Sequence, residues 1–378
     1  MRILFTVEFY FPHKGGAEFV VQQLAERAQE AGHAVTVATT ALPERAAERI
    51  HGVSVESFAL SGNSVRGVSG SEAEKLRYKE FLLSGFDVVI NYAAQTWTSD
   101  LAFEIVSELA QRSRMLFVPC GYSGLHNPEY KAYFSELPQY LRQYHKLVYM
   151  SEHYQDKLFG DSVGLSDKAV IIPNGAGEEE FSRPAAGSIR SQLQITTPYM
   201  LLCVSNHYRA KGHAFVLEAF RRMGRTDTTL VLIGDNPGTS AVSKLKQWIF
   251  GCIGTCVVRG ALNSRVRMLQ GVSRGEVIAA YQEADLFLFG SEIECAPLVL
   301  YESFASRTCF ISRPVGNVPE YASLVRLVAT PQSMADTANR LLADPKLRLQ
   351  LTEQAYTAWQ QFYTWDKITK QYLALCQK

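Results

Sequence analysis

Two glutamates on either side of one helix start carry the strongest chemical signal in the sequence. Glu294 lies in a loop, and Glu302 lies about one and a half turns into a helix that Pro297 is expected to begin. The first N–H groups of that helix, on Leu298 and Val299, have no acceptor inside it, and such a terminus attracts anions such as a diphosphate. Carboxylates, in turn, accept hydrogen bonds from hydroxyls. An anion site between two carboxylates is typical of a sugar-nucleotide site.

The elements that position these groups are a strand before the loop and a helix after it. The apolar run 284–289 predicts a buried strand of a parallel sheet, which Gly290 ends. Behind the helix, Gly316, Pro319 and Glu320 form a G-x-x-P-E segment. Two glutamates at an E-x7-E spacing arise by chance in many helices. The pair is therefore informative only because it lies in a strand–loop–helix segment.

With these motifs in this order, the chain resembles the retaining glycosyltransferases of family 4 over nearly its whole length. The resemblance implies an α/β GT-B fold, in which two doubly wound Rossmann-like domains face each other across a cleft and a C-terminal helix crosses back to the first domain. It also implies that Glu294 binds hydroxyls of a donor hexose and that Glu302 binds the ribose. Gly16, in a P-x-x-G-G-A-E segment after the first strand, would let the first domain close on the phosphate and the acceptor.

Positive charge for the donor diphosphate is expected in one loop of the second half. Relatives carry a Gly-Arg pair where this chain has Ser205 and Asn206, followed by a Lys-Gly pair that is kept here as Lys211 and Gly212. The resemblance implies that the two cations balance the diphosphate, on which charge grows in the transition state. Asn206 departs from the pattern. Arg209 is the substitute cation, unless it is a solvated surface arginine.

Two further contacts are assigned by the resemblance. Many relatives place a histidine beside the transferred sugar directly after the strand predicted at 115–119, where this chain has Cys120, and the nearest histidine is His126. Either His126 makes that contact or the contact is absent. The second alternative stays open because a lone histidine in a loop is more often an exposed residue without a specific role. Val272 is expected to face the nucleobase, and Arg274 to stack on it.

Composition and cysteine spacing restrict the cofactors and partners. The chain has 378 residues and a net charge of +1, which gives no electrostatic reason to expect nucleic acid as a partner. Cys252 and Cys256 stand without a second cysteine pair or clustered histidines along the sequence, which argues against zinc. The site also has no paired aspartates of the D-x-D kind. We therefore expect no cofactor and no metal, and activity that is independent of metal ions.

The cellular compartment is predicted from the cysteines and from hydropathy. An odd count of seven cysteines and the lack of a signal peptide favour the reducing cytoplasm. No apolar run approaches the roughly 20 residues that a membrane-spanning helix needs. Contact with the inner face of a membrane, if there is any, is expected to be peripheral.

Three segments are expected from the order of the elements. Residues 1–178 form an N-terminal, acceptor-side Rossmann-like domain that ends after an I-P-N-G turn. Residues 179–355 form the Rossmann-like domain that binds the nucleotide sugar. Residues 356–378 form a C-terminal helix that packs back on the N-terminal domain.

The combined assignments predict a hexosyltransferase that acts with retention. It would move a hexose from a nucleotide diphosphate sugar to a glycan, a glycolipid or another hydroxyl acceptor, in the biosynthesis of a polysaccharide or glycoconjugate. One alternative is a sugar-nucleotide epimerase of the same fold, which the missing histidine at Cys120 weakens. Another is a non-catalytic relative that only binds a sugar nucleotide, which Asn206 and Cys120 keep open. A dehydrogenase is disfavoured because no G-x-G-x-x-G follows the first strand.

Overall fold

The computed structural model describes residues 1–13, 15–45, 47–236, 246, 248 and 251–377. The chain divides into two compact units, Met1–Asn174 with Trp365–Lys378, and Gly175–Thr364. Each unit is built on its own sheet of parallel strands flanked by helices, which confirms the predicted pair of Rossmann-like α/β domains. Among the helices described, none is both long and apolar enough to cross a membrane.

The first unit is organised around an eight-stranded sheet. The strands of this unit are β1 (Arg2–Thr6), β2 (Ala34–Thr40), β3 (Arg49–Ile50), β4 (Val53–Phe58), β5 (Ser61–Asn63), β6 (Gly67–Ser69), β7 (Val88–Tyr92), β8 (Arg114–Val118), β9 (Lys146–Tyr149) and β10 (Ala169–Ile171). The sheet has the order β10-β9-β8-β7-β1-β2-β4-β3 and is parallel except between β3 and β4, while β5 and β6 form a separate antiparallel pair. Ile3 of β1 pairs with Val35 on one side and Val88 on the other. The central strands read as continuous apolar runs because both of their faces are buried.

Helices cover the faces of this sheet. They are α1 (Gly16–Glu30), α2 (Glu72–Leu82), α3 (Trp97–Phe103), α4 (Val106–Arg112), α5 (Lys131–Leu141) and α6 (Gln155–Ser162), with short 3-10 helices at Pro128–Tyr130 and Ser166–Lys168. Trp97 is fully buried at the start of α3, and its Nε1–H donates to Thr40 Oγ1 at 2.8 Å. This hydrogen bond satisfies the polar edge of the indole inside an apolar core.

The second unit has a six-stranded parallel sheet. Its strands are β11 (Tyr199–Val204), β12 (Thr228–Ile233), β13 (Val266–Leu269), β14 (Leu286–Phe289), β15 (Cys309–Ser312) and β16 (Arg326–Leu327), in the order β13-β12-β11-β14-β15-β16. Its helices are α7 (Glu178–Ser182), α8 (Ile189–Gln192), α9 (His213–Arg222), α10 (Cys252–Leu262), α11 (Arg274–Glu283), α12 (Leu298–Ala305), α13 (Pro331–Ala343) and α14 (Pro345–Phe362), with 3-10 helices at Arg209–Lys211 and Val318–Tyr321. The strand order changes direction between β11 and β14. The loops after these two strands therefore meet at a topological switch point, where open α/β sheets bind ligands.

The last helix, α15 (Trp365–Cys376), belongs to the first unit. Trp365 is fully buried and lies edge-on to Phe19 of α1, while Arg27 Nε donates to Asp366 Oδ1 at 2.9 Å. The segment expected to cross back, 356–378, is divided in the structure. Its first part lies in α14 of the second unit, where Trp359 is buried. The first boundary between the units falls after residue 174, four residues before the expected 178.

Candidate functional site

The helix start expected at residue 297 is present, with a shift of one position. β14 is buried along its whole length, and α12 begins at Leu298, while Pro297 is the N-cap residue with φ −67° and ψ 126°. The extended ψ angle keeps Pro297 outside the helix, although its fixed φ suits the approach to the first turn. Leu298 and Val299 occupy the first two helical positions, where N–H groups have no acceptor within the helix. Both are partly exposed, so the positive end of this helix is open to a ligand.

An ion pair joins the loop before this helix to the loop after β11. Lys211 Nζ donates to Glu294 Oε1 at 2.8 Å, and Ser291 Oγ donates to the same oxygen at 2.7 Å. The side chains of Lys211 and Glu294 are 31% and 13% exposed, so the pair is only partly solvated. The structure thus brings together a predicted cation and a predicted sugar-binding carboxylate that are 83 residues apart in the sequence. Ser291 is a partner that the sequence analysis did not assign.

Two glycines allow these loops to approach each other. Gly212 has φ +67°, and a Cβ atom on it would lie 1.9 Å from the carbonyl oxygen of Gly290. A Cβ atom on Gly290 would in turn lie 2.4 Å from the carbonyl oxygen of Gly212. Because backbone atoms, rather than flexible side-chain ends, are the neighbours, any larger residue would push the loops apart. Gly212 and Gly290 therefore allow the close approach of the two loops that carry Lys211 and Glu294.

Glu302, itself buried, is held by an ion-pair network whose other members are partly exposed. Arg274 Nη1 donates to Glu302 Oε1 at 2.6 Å, and the same guanidinium contacts both carboxylate oxygens of Glu180, at 3.1 and 2.8 Å. Burial opposes the charge on Arg274, but the two carboxylates outweigh it and raise its pKa above the ordinary value. The ring of Phe181 lies under the guanidinium, and its centroid is 5.6 Å from Arg274 Cζ. The expected stacking of Arg274 on a nucleobase remains a prediction, and in the structure the guanidinium orients Glu302.

Glu180 was not found by sequence reasoning. It lies in the acidic run 178–180 at the start of α7, which has the composition of an ordinary solvated helix end. The bidentate contact with Arg274 depends on how α7 packs against α11 and α12, and no local spacing predicts that.

The side chain of Asn206 connects three neighbouring loops at the end of the second sheet. Asn206 Oδ1 accepts a hydrogen bond from the N–H of Asp235 at 3.1 Å, and Asp235 Oδ1 accepts one from the N–H of Gly271 at 2.6 Å. These residues follow β11, β12 and β13, so the chain of contacts fixes the turn that carries the partly buried Val272. An arginine at position 206 could not accept the hydrogen bond from the N–H of Asp235, because a guanidinium has no acceptor. Arg209, on the same loop as Asn206, is exposed.

In the first unit, Gly16 is the first residue of α1 and is exposed. The N-cap residue is Gly15, and the carboxylate of Glu18 lies directly over it. Glu18 Oε1 also pairs with His13 Nδ1 at 2.9 Å, and the ring of His13 stacks on Phe9. The backbone of this helix start is therefore exposed at Gly16, next to a carboxylate and an imidazole that the sequence analysis did not assign.

The loop after β8 carries Cys120 and His126. Cys120 has φ +58° and Gly121 has φ +79°, so the chain turns sharply in the left-handed region where many relatives have a histidine. Burial, reinforced by the charge of Asp156, raises the pKa of the Cys120 thiol to about 12, which leaves a neutral thiol rather than a nucleophile. His126 is exposed on the same loop. Whether His126 contacts the sugar remains a prediction.

Asp156 supports this loop and was also missed by sequence reasoning. It is 1% exposed, and it accepts hydrogen bonds from the N–H of Gly121 at 3.0 Å and of Lys157 at 2.9 Å. Burial outweighs these bonds and raises the pKa of its carboxyl from an ordinary 3.8 to about 6. Nothing in the local pattern distinguishes Asp156 from a surface residue of an amphipathic helix.

The raised pKa of Asp156 predicts a pH dependence of stability. The folded state holds the proton more tightly than the unfolded state, so the stabilisation is complete below the ordinary pKa of 3.8 and is lost as the pH rises through about 6. Asp156→Asn cannot ionise, and we expect its stability relative to the wild type to increase by about 2 kcal/mol between pH 4 and pH 7. Paired thermal unfolding of the two proteins across this range measures the difference, and any constant cost of the amide cancels. A difference independent of pH would contradict the buried, titrating carboxyl.

Cys252 and Cys256 do have clustered histidines beside them, so the reason for expecting no zinc there is wrong. Helix α10 packs against α9, and this brings the Sγ atom of Cys252 to 3.5 Å from His207 Nδ1 and 3.4 Å from His213 Nδ1. Along the chain Cys252 and His213 are 39 residues apart, so their proximity depends on the fold. Clustered histidines are therefore present in space.

Comparison with known proteins identifies the family. The family model for glycosyl transferases group 1 matches residues 187–358, and the model for glycosyltransferase family 4 matches residues 14–179. The N-acetyl-alpha-D-glucosaminyl L-malate synthase of Bacillus anthracis is 27% identical over 179 residues, which cover 46% of this chain and 44% of that protein. The phosphatidylinositol N-acetylglucosaminyltransferase gpi3 subunit of Schizosaccharomyces pombe is 24% identical over 224 residues, 57% of this chain and 45% of that protein. The matched regions span less than half the length of each curated relative.

Solved structures share the fold over essentially the whole chain. The sucrose-phosphate synthase of Thermosynechococcus elongatus has a TM-score of 0.76 at 18% identity and covers 99% of this chain and 98% of its own. Anabaena HepE in complex with UDP has a TM-score of 0.74 at 17% identity, with 99% of both chains covered. A glycosyltransferase from Rickettsia africae has a TM-score of 0.77 at 16% identity, covering 99% and 97%. The solved structures show the GT-B fold, and the two family models, which match separate halves of the chain, identify it as a glycosyltransferase of the family 4 type.

Proposed function

We propose that this protein transfers a hexose from a nucleoside diphosphate sugar to a hydroxyl acceptor, with retention of anomeric configuration. The observation that carries the proposal is the contact between Lys211 and Glu294 in the loops before the open N-terminus of α12. A cation, free N–H groups and a carboxylate are the three kinds of group that a sugar diphosphate requires. All of them lie within the second unit.

Lys211 is the main cation for the diphosphate in this proposal. Its ammonium has three N–H donors, and among the described residues only Glu294 receives one, which leaves two for phosphate oxygens. The N-terminus of α12, at Leu298 and Val299, adds about half a positive charge. Arg209 is exposed on the same loop as Lys211 and can supply a second full charge. The need for such charge is greatest in the transition state, when the glycosidic bond breaks and the leaving phosphate gains charge.

Glu294 is proposed to bind hydroxyls of the donor hexose. Its Oε1 atom already accepts from Lys211 and Ser291, which fixes the orientation of the carboxylate. Within the described part of the chain no contact to Oε2 is found, so that oxygen can accept from a sugar hydroxyl. The same ion pair thus links the diphosphate site to the hexose site.

Glu302 is proposed to bind the ribose hydroxyls. Arg274 occupies one carboxylate oxygen, and Glu180 holds Arg274 from the other side. The side chain of Glu302 is only 7% exposed, so it can present no more than one edge of its carboxylate to a ligand. A single fixed edge suits a vicinal diol, whose two hydroxyls lie side by side. Val272, on the turn fixed through Asn206, is proposed to contact the base.

The relatives support a nucleotide sugar as donor. HepE structures have been solved in complex with UDP, with UDP and glucose, and with UDP-glucose. Both curated relatives are named for an N-acetylglucosaminyl group. We propose a uridine diphosphate hexose or N-acetylhexosamine as the first donors to test. A glycan, a glycolipid or another hydroxyl compound is proposed as acceptor, with the enzyme in the cytoplasm or peripherally at the inner face of a membrane.

A donor screen followed by a turnover assay tests the proposal. A nucleotide sugar that binds should raise the thermal midpoint by mass action, and the bound donor should then release its nucleoside diphosphate when an acceptor is added. Product NMR should show the anomeric configuration of the donor. Interconversion of the donor sugar without acceptor would indicate an epimerase instead, and binding without any turnover would indicate a non-catalytic relative.

We expect turnover to be independent of added divalent cations. The charges assigned to the diphosphate belong to Lys211, Arg209 and the α12 terminus, so no magnesium ion is required to neutralise it. Initial rates with excess magnesium and after brief addition of EDTA should agree within about twofold. Loss of activity in EDTA that magnesium or manganese restores would instead show that a metal bridges the diphosphate.

A further inference from the structure

Four buried side chains of metal-binding types come together in the second unit, outside the residues assigned to the donor. They are His207 after β11, His213 at the start of α9, and Cys252 and Cys256 on α10. Their candidate ligand atoms all lie within 4.8 Å of one another. Cys252 and Cys256 are one helical turn apart and therefore lie on the same face of α10. These four residues are called the Cys2His2 cluster below.

The spacing within the cluster agrees with tetrahedral coordination. A zinc ion with bonds of about 2.3 Å to sulfur and about 2.0 Å to nitrogen places sulfur and nitrogen about 3.5 Å apart. The measured separations from Cys252 Sγ are 3.5 Å to His207 Nδ1 and 3.4 Å to His213 Nδ1. The two imidazole rings stack at 4.4 Å, so both direct an Nδ1 atom toward the same thiol.

One histidine of the cluster also has the outer contact that metal-binding histidines usually have. His213 Nε2 lies 3.1 Å from Ser205 Oγ, so a proton on Nε2 leaves Nδ1 free to bind a metal. This tautomer is the one that a ligand at Nδ1 requires. Ser205 thereby fixes the orientation of the ring.

Packing alone does not account for the cluster. His207 and His213 have no exposed surface, and the Nδ1 atom of each lies against the sulfur of Cys252. Thiols are weak hydrogen-bond partners for imidazoles, so burying two ring nitrogens against one thiol has a cost in free energy. An ordinary core would place apolar side chains here, as it does around the cluster at Leu217 and Leu232.

We propose that the Cys2His2 cluster binds a zinc ion with structural function. Two cysteines and two histidines in tetrahedral reach are a donor set typical of zinc. Four protein ligands leave no open coordination position for water or substrate, so the ion holds chain segments together and takes no part in the transfer reaction. The site is separate from the ion pairs that carry the proposed donor contacts.

The position of the cluster suggests what the ion holds in place. His207 and His213 bracket the loop that carries Arg209 and Lys211, and both would be tied through the metal to α10. Loss of zinc should therefore loosen this loop and weaken donor binding. This second step rests on the proposed function, whereas binding of the metal itself does not.

Metal analysis of the full-length protein tests the site directly. Protein purified without added metal is expected to contain about one zinc per chain, and the absorption edge of that zinc should indicate two sulfur and two nitrogen ligands. Reduced apo-protein titrated with cobalt(II) should show the strong thiolate-to-cobalt absorption of a tetrahedral site. The proposal is overturned if neither zinc nor cobalt binds with sulfur ligands, or if the bound zinc has only oxygen and nitrogen ligands.

Matched cysteine variants locate the metal. Cys252→Ala and Cys256→Ala are each expected to lower the zinc content at least tenfold, whereas Cys309→Ala, at a buried cysteine of β15 outside the cluster, should keep it. Wild-type zinc content in Cys252→Ala would assign the metal elsewhere and overturn the proposal. If the variants do not fold, the cobalt spectrum of the wild type still tests whether a metal binds with sulfur ligands. If the wild type contains zinc but binds no nucleotide sugar, only the proposed function is contradicted. If removal of zinc leaves the affinity for the donor unchanged, only the effect on the loop is contradicted.

Discussion

Lys211→Ala is expected to lower turnover of the nucleotide sugar by on the order of 10²–10³-fold, because it removes the main cation proposed to stabilise the developing negative charge. The loss should be mainly in kcat, since the charge on the leaving phosphate is greater in the transition state than in the bound donor. The variant also leaves Glu294 without its cation, which adds repulsion toward the diphosphate. Steady-state rates at saturating and limiting donor concentrations separate the effects on kcat and KM.

Control variants separate this effect from a general loss of positive charge. Arg221→Ala removes an exposed cation on α9 and should keep wild-type rates. Lys211→Arg keeps the charge and should retain more activity than Lys211→Ala, although its planar head cannot reproduce the ammonium geometry. Thermal unfolding should be little changed, because the ion pair is partly solvated.

Arg209→Ala decides whether the substitute cation works together with Lys211. If it does, we expect turnover to fall more than tenfold, equivalent to over about 1.4 kcal/mol of transition-state stabilisation. Wild-type turnover in Arg209→Ala would mean that Arg209 is a solvated surface residue and that Lys211 acts alone. Full activity in both single variants would show that the diphosphate binds elsewhere, and the proposed transferase site would lose its main support.

Glu302→Ala is expected to weaken binding of the donor by about 1.5–3 kcal/mol, the range for a hydrogen bond that involves a charged group. Binding of the free nucleoside diphosphate should weaken equally, since the proposed contact is to the ribose and not to the hexose. Arg274 would keep its bidentate contact with Glu180, so the guanidinium stays paired in the variant. Calorimetric titration with the nucleotide and with the full donor measures both affinities.

Glu292→Ala is the matched control for this experiment. Glu292 is an exposed glutamate in the loop before α12, paired with Arg313 at 3.2 Å, and its removal should leave both affinities unchanged. Glu302→Gln keeps the size of the side chain and the contact to Arg274, but not the charge, and should lose less than Glu302→Ala. Unchanged nucleotide affinity in Glu302→Ala would show that this carboxylate only orients Arg274.

Local patterns were enough to predict the elements around the site. The apolar run before Gly290 and the helix start at Leu298 depend on hydrophobicity and on backbone preferences over a few residues, and both are visible in the sequence. The GT-B fold predicted by resemblance is confirmed by the two parallel sheets and by the solved neighbours. The hydrogen-bond partners of the side chains in the site could not be predicted in this way. The bond from Ser291 to Glu294 depends on loop geometry that no spacing specifies.

Contacts between distant segments account for most of what was missed. Glu180 and Asp156 gain their roles only when helices pack, and their local sequences resemble those of solvated surfaces. His207 and His213 differ in this respect. Two histidines six positions apart, followed later by two cysteines one helical turn apart, are a recognisable metal-binding pattern when the pairs are considered together. The pattern was missed because the two cysteines were considered without the two histidines that precede them in the chain.

The position of α15 in the first unit has a consequence for the order in which the protein can fold during translation. Arg27 and Asp366, which form a hydrogen bond between α1 and α15, are 339 residues apart in the sequence. A ribosome releases residues 365–378 only after the whole of the second unit has emerged. Until then the surface of α1 that packs against Trp365 lacks this partner. Nascent chains should therefore depend on chaperones longest at their N-terminal end.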